Sequence, residues 1–136
     1  MEDWVRSAID QWKQQVVKLN PPAIISSIEE VELALNFEFS KDFKQLYLNV
    51  DGFADLYWLP NMFTIRPLQL ILDDYSNENN EFIGFADFLL NSHEIGFLKG
   101  KDGVFKNYGK YGDIVMIAQK VKEVIELINA DDRIIY

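Results

Sequence analysis

The spacing of apolar residues changes near Phe53, and that change restricts the chain to a fold with helices first and short strands after. Before it, Trp4, Ala8, Ile9, Trp12, Val16 and Leu19 recur at helical intervals, which predicts an amphipathic helix over residues 3–19 ended by Asn20-Pro21-Pro22. Ser26-Ser27-Ile28-Glu29-Glu30 contains two overlapping capping boxes, each a serine hydroxyl for an exposed backbone N–H and a glutamate three residues on. A second helix is expected there, with Ile28, Val31 and Leu35 inward and Phe37 and Phe39 on an extended link after it. Ser40-Lys41-Asp42 starts a third helix that buries Phe43, Leu46, Tyr47 and Val50, and Gly52 is placed to close it in the left-handed conformation.

After Phe53, Leu56, Trp58, Phe63, Ile65 and the run Leu68 to Leu72 are broken by Pro60 and Pro67, a pattern of short strands and bends in which no helix beyond one or two turns is expected. Residues 73–80, Asp-Asp-Tyr-Ser-Asn-Glu-Asn-Asn, read as an exposed loop. Residues 82–86, 94–98 and 104–108 read as antiparallel strands, the last two joined as a hairpin across Gly100-Lys101-Asp102-Gly103. Ile117, Val121, Val124, Ile125 and Ile128 predict a closing helix over residues 116–129. The expectation is one α+β domain over residues 1–136. Its antiparallel-rich mixed sheet is packed by N-terminal helices and a C-terminal helix.

With 49% apolar and 26% charged residues, the chain can bury a core without disulfides, and its lack of cysteine excludes thiol nucleophiles and cysteine-ligated metals. Met1-Glu2-Asp3-Trp4 carries acids where a secretory signal carries Lys or Arg, so a cytoplasmic location is expected. The longest apolar runs, such as Ile114-Val115-Met116-Ile117-Ala118, fall far short of the ~20 residues that cross a bilayer. A net charge of −9 repels phosphate backbones and anionic lipids, which argues against nucleic-acid and membrane partners. Residues 67–98 hold Asp73, Asp74, Glu78, Glu81, Asp87 and Glu94 without a Lys or Arg, and Lys99, Lys101, Lys106, Lys110, Lys120 and Lys122 follow. A charge dipole is expected.

Templates for catalysis fail one by one. His93 is the only histidine and reads as a turn residue, so no histidine-based relay or paired-histidine zinc site is expected. The acidic loop does not place oxygen ligands and glycine as a calcium loop requires, and Asp73-Asp74 reads as a solvated pair. Residues 96–102, Gly-Phe-Leu-Lys-Gly-Lys-Asp, have the wrong glycine spacing for a phosphate loop, and Asp102 would repel the phosphate. No cofactor, no metal and no enzyme activity are expected. Trp4 and Trp12 read as core, whereas Tyr57 and Trp58, in a loop before Pro60, read as candidate binding residues.

Ile28, Glu32, Asp42, Phe43 and Gly52, in that order and spacing, resemble the opening signature of the SUKH superfamily, although Ser40 and Asp51 stand where proline and asparagine are usual. Residues 82–86, the hairpin, and Ile117-Ala118 leading into a helix with Val121 and Val124 look like that family's second half, so the resemblance spans about residues 24–128. It implies an α+β fold and a non-catalytic protein-binding role. In bacteria that role is commonly immunity against a cognate toxin, often a nuclease, and the alternative is a regulatory or scaffold module that binds a cellular protein. An acidic inhibitor suits a basic toxin domain, and Asp73, Asp74, Glu78, Glu81, Tyr57 and Trp58 are the expected partner-binding residues.

Overall fold

The first apolar stripe forms helix α1, Asp3–Gln14, in the computed structural model of the chain, which describes residues 1–77, 80–109 and 112–136. Val5, Ala8, Ile9 and Trp12 are its buried face. The helix stops five residues earlier than the spacing predicts. Val16 takes a left-handed φ of 60°, with its N–H donated to the Lys13 carbonyl and that of Val17 to the Trp12 carbonyl. This is the backbone closure in which glycine is usual. It reverses the pattern locally, so Val16 is 81% exposed and Val17 is buried instead.

Helix α2 (Ile25–Leu35) buries Ile28, Val31 and Leu35 as expected, but neither serine caps it. Its start is set by the extended segment before it, where Ala23 N–H bonds the Tyr47 carbonyl at 2.9 Å and leaves Ser26 and Ser27 inside the first turn. Asn36, left-handed at φ 52°, closes the other end. Helix α3 (Lys41–Tyr47) contributes Phe43, Leu46 and Tyr47 to the core. The rings of Phe39, Phe43 and Tyr47 stack successively at 4.0 and 4.1 Å. Leu48, not Gly52, ends this helix. Gly52 is left-handed at φ 66° for another reason: a Cβ there would lie 2.5 Å from the Pro67 nitrogen, so the glycine permits two backbone segments to touch.

Residues 68–75 are not strands, bends or loop. They form helix α4, Leu68–Tyr75, with Leu68 and Ile71 buried, so Asp73 and Asp74 lie in its last turn. The cap comes from a distant residue, because the Asp51 carboxylate accepts the Leu68 N–H at 2.8 Å. Strands β1 (Phe63–Ile65), β2 (Phe82–Phe88), β3 (His93–Leu98), β4 (Val104–Asn107) and β5 (Ile114–Ala118) make one sheet in that order. All four pairings are antiparallel, so the sheet is not mixed. Ile114–Ala118 is thus a strand, and the closing helix α5 is Val121–Asn129, shorter than residues 116–129. Asp42 Oδ2 accepts the Lys122 N–H at 2.8 Å and ties α3 to the first turn of α5.

One core cluster draws on all five helices and all five strands. Trp12, fully buried, meets Phe53 edge-on at 5.0 Å and donates its indole N–H to Asn129 Oδ1, locking α1 to α5. No helix among the described residues is long and apolar enough to cross a membrane.

Candidate functional site

Arg66 follows β1 directly and is 6% exposed. Its backbone is held on both sides: its N–H bonds the Phe85 carbonyl at 2.8 Å, and its carbonyl accepts the buried Tyr47 hydroxyl at 2.6 Å. The guanidinium is surrounded by acceptors from four elements. Nη1 donates to the Tyr75 hydroxyl at 2.8 Å and Nη2 to Asn91 Oδ1 at 3.1 Å. Carboxylates of Glu94, Asp87 and Asp74 stand at 3.5, 3.7 and 3.8 Å. The Tyr75 ring lies 5.6 Å from the guanidinium carbon, within cation–π range. Gly84 leaves room for this assembly, since a Cβ there would meet the Tyr75 hydroxyl at 2.6 Å.

Asp87 is 6% exposed, and burial pushes its carboxyl above the ordinary carboxylate value, opposed by the Asn91 N–H, Arg66 and His93. The three carboxylates outnumber the one cation they share. The site is therefore negative as a whole, and Asp74, half exposed, carries that sign to the surface.

Above Arg66 opens a cleft of about 190 Å³ lined by Phe53, Leu56, Trp58, Leu70, Asp74 and Leu90, among others. Its apolar rim comes from two loops with unusual backbones. In the first, Asp55 and Leu56 are left-handed at φ 50° and 58°, and Thr64 Oγ1 donates to the Tyr57 carbonyl at 2.7 Å. In the second, the turn between β2 and β3, Leu89, Leu90 and Asn91 are left-handed at φ 51°, 53° and 69°, with Asn91 N–H on Asp87 Oδ1 at 2.9 Å. Leu89 N–H bonds the carbonyl of left-handed Met62 at 3.0 Å, which joins the loops. Left-handed leucine is sterically costly, and these leucines gain little burial in return: Leu56 is 64% and Leu90 75% exposed.

Of the residues expected to bind a partner, the structure brings Trp58 and Asp74 together in the cleft, with exposed Tyr57 beside Trp58. Asp73 is exposed and takes a hydrogen bond from Gln69 at 2.8 Å, outside the cleft. Glu81 is exposed just before β2 and does not line the cleft either. Glu78 lies outside the described residues. Sequence reasoning missed Arg66, Leu56, Leu90 and Asn91. A signal for Arg66 was present: it is the only cation between Lys44 and Lys99.

His93 is not a turn residue. It opens β3, is 5% exposed, and its Nε2–H donates to the Ile135 carbonyl at 2.6 Å, since a carbonyl can only accept. The rings of Phe63, Phe88 and Tyr108 surround it at 5.0–5.9 Å. Burial pushes its pKa below the ordinary histidine value. Among the described residues, no group of three or more His, Asp or Glu is placed to hold a metal ion.

No protein-family model matches this chain, and a search of curated proteins finds none that matches it.

Proposed function

We propose that this chain is a non-catalytic protein-binding domain that neutralises a basic protein partner in the cytoplasm, as the resemblance to SUKH immunity proteins implies. The observation that carries the reading is the rim of the Arg66 cleft, where Leu56 and Leu90 are held out to solvent on left-handed backbone beside an excess of carboxylates. Apolar anchors next to an acidic surface suit a partner that is basic with an apolar contact of its own. Trp58 and Tyr57 add aromatic area in the same loop. The chemistry-bearing side chains at the cleft are engaged with Arg66 rather than poised toward a substrate, which favours binding over catalysis.

The test is co-expression with toxin candidates encoded next to this gene. The chain should rescue growth and co-purify with one of them, with binding that weakens as salt is raised. Leu56→Ala with Leu90→Ala, both on exposed side chains, should remove rescue while leaving the far-ultraviolet circular dichroism unchanged. Failure to bind or neutralise any neighbouring product, or full rescue by the double variant, would overturn the reading. Capture of a housekeeping protein would point to a scaffold module instead, and so against immunity.

A further inference from the structure

The cleft above Arg66 has an apolar mouth and a charged floor. Leu56 and Leu90 stand exposed at its opening with half-buried Trp58, whereas Arg66 and Asp87 are each 6% exposed. Arg66 is the only cation among the described residues that line it, against Asp74 and Asp87, and Glu94 brings a third carboxylate to the same guanidinium. These ion pairs are long. The three carboxylates stand 3.5–3.8 Å from the guanidinium nitrogens, whereas a charge-assisted N–H···O bond spans ~2.7–2.9 Å. The shorter contacts of Arg66 go to neutral acceptors instead, the Tyr75 hydroxyl at 2.8 Å and Asn91 Oδ1 at 3.1 Å. Asp74 stands farthest from the guanidinium, at 3.8 Å, and its side chain is half exposed. At about 190 Å³ the cleft is smaller than the roughly 300–1,000 Å³ of drug-sized ligand sites, a space for one side chain.

We infer, on the reading of this cleft as the partner-binding surface, that it receives a single arginine side chain of the protein partner, guanidinium on the Asp74 carboxylate and aliphatic stem between Leu56 and Leu90. Charge selects the occupant. An apolar side chain would take Asp74 out of water without supplying a partner for it. An anion would join three carboxylates that already share one cation. A second guanidinium brings the count to two cations against those three carboxylates, so the site accepts it without an excess of positive charge. Lysine also carries a charge on an apolar stem, but arginine fits this lining better. Its guanidinium is more weakly hydrated, presents a planar fork that a carboxylate accepts two donors at a time, and packs its flat face on an aromatic ring, here that of Trp58. One residue then makes both the apolar contact at the exposed leucines and the ionic contact at the acids.

N-acetyl-arginine amide, titrated into the purified chain and followed by the tryptophan indole N–H signals in NMR spectra, tests this. The Trp58 signal should shift and saturate in the millimolar range, as suits so small a probe. Trp12, whose indole N–H is held by Asn129, should not move and so reports an intact fold. N-acetyl-lysine amide should bind about fivefold more weakly, and the norleucine and glutamate amides should leave Trp58 unmoved. Asp74→Asn should weaken the arginine probe about fivefold with the Trp12 signal unchanged. Asp73→Asn, the same change of charge one residue away and outside the cleft, should bind it as the wild type does. An unmoved Trp58, an equal response to the lysine, norleucine or glutamate probe, or equal losses from the two variants would overturn the proposal. Co-expression reads the immunity role separately. A toxin neutralised although the arginine probe fails to bind would remove the arginine and keep the immunity reading, whereas probe binding as described without rescue would keep the arginine site and remove that reading.

Discussion

Arg66 and His93 illustrate two ways this chain handles a buried polar side chain. Arg66 is satisfied by charge: removing it leaves Asp87 buried and Glu94 half buried without their cation. Breaking such a buried pair by deleting one partner costs about 3–5 kcal/mol. Because Asp74 and Glu94 remain partly hydrated, Arg66→Ala is expected near the lower end, about 3 kcal/mol, by urea unfolding. A loss under about 1 kcal/mol would mean that water replaces the guanidinium without difficulty. His93 is instead satisfied as a neutral donor to Ile135, and its folded pKa lies below the ordinary value of 6.5. A depressed pKa means that its contribution is present above 6.5 and is lost as pH falls through the folded value. Asp87 acts in the opposite sense, because its raised pKa makes its contribution fall as pH rises from the ordinary 3.8 through the folded value. The two are separable by mutation. Between about pH 7.5 and about pH 5.5, the wild-type Tm should fall more steeply than that of His93→Gln. Parallel slopes would show that His93 titrates alike in both states.

At the scale of elements, the helices differ in where their termini are specified. Helix α4 depends on Asp51, seventeen residues before the N–H that it caps. Asp51→Ala should therefore cost about 1 kcal/mol, the usual value of a lost cap. Asp51→Asn should cost less, because the amide keeps an acceptor and burial already disfavours the Asp51 charge. Equal losses would argue that the charge, not the hydrogen bond, holds α4. Helix α1 closes locally, on left-handed Val16 with its side chain in solvent. Val16→Gly should stabilise the chain by about 1 kcal/mol, the steric cost of that conformation for a residue with a Cβ. Thermal unfolding that falls instead of rising would show that the Cβ contributes contacts outweighing the strain. These cases explain which elements were legible. The inward face of α1 and the segments of β2, β3 and β4 follow local periodicity, so apolar spacing reveals them. The start of α4 lies in a carboxylate far back in the chain, and the run Ile114–Ala118 becomes a strand only by pairing with β4. The cleft was legible only at Trp58 and Asp74, with Tyr57 beside them, because Asp87 and Glu94 meet through sheet register and Asp74 reaches Arg66 from α4, not through sequence spacing.

Over the whole molecule, a formal charge of −9 is distributed unevenly. The acidic stretch gathers part of its charge onto Arg66, whereas a larger cleft of about 700 Å³ is lined by charges of both signs, Lys101 and Lys120 with Glu38 and Asp102, beside Phe37 and Phe97. The acid-rich cleft lies beside β1 and β2, whereas the lysines at the hairpin and before α5 share the larger cleft with an equal number of acids. Exposed like charges repel within the folded chain, and salt screens them. Raising ionic strength from about 0.01 M to about 0.15 M shortens the screening length from about 30 to about 8 Å. The buried contacts of Arg66 with Asp87 and Glu94 should be little affected, while repulsion among exposed acids is relieved. The Tm of the free protein should accordingly rise with salt over this range. Affinity for a basic partner should fall over the same range, since the attraction that steers it is screened as well. Opposite signs on one axis are the expected result, measured by thermal unfolding and by titration calorimetry in matched buffers. A Tm that falls with salt would show that exposed ion pairs such as Lys18–Asp55 and Lys44–Glu38 outweigh the net repulsion. An affinity indifferent to salt would place the binding energy in Leu56, Leu90 and Trp58 rather than in the carboxylates around Arg66.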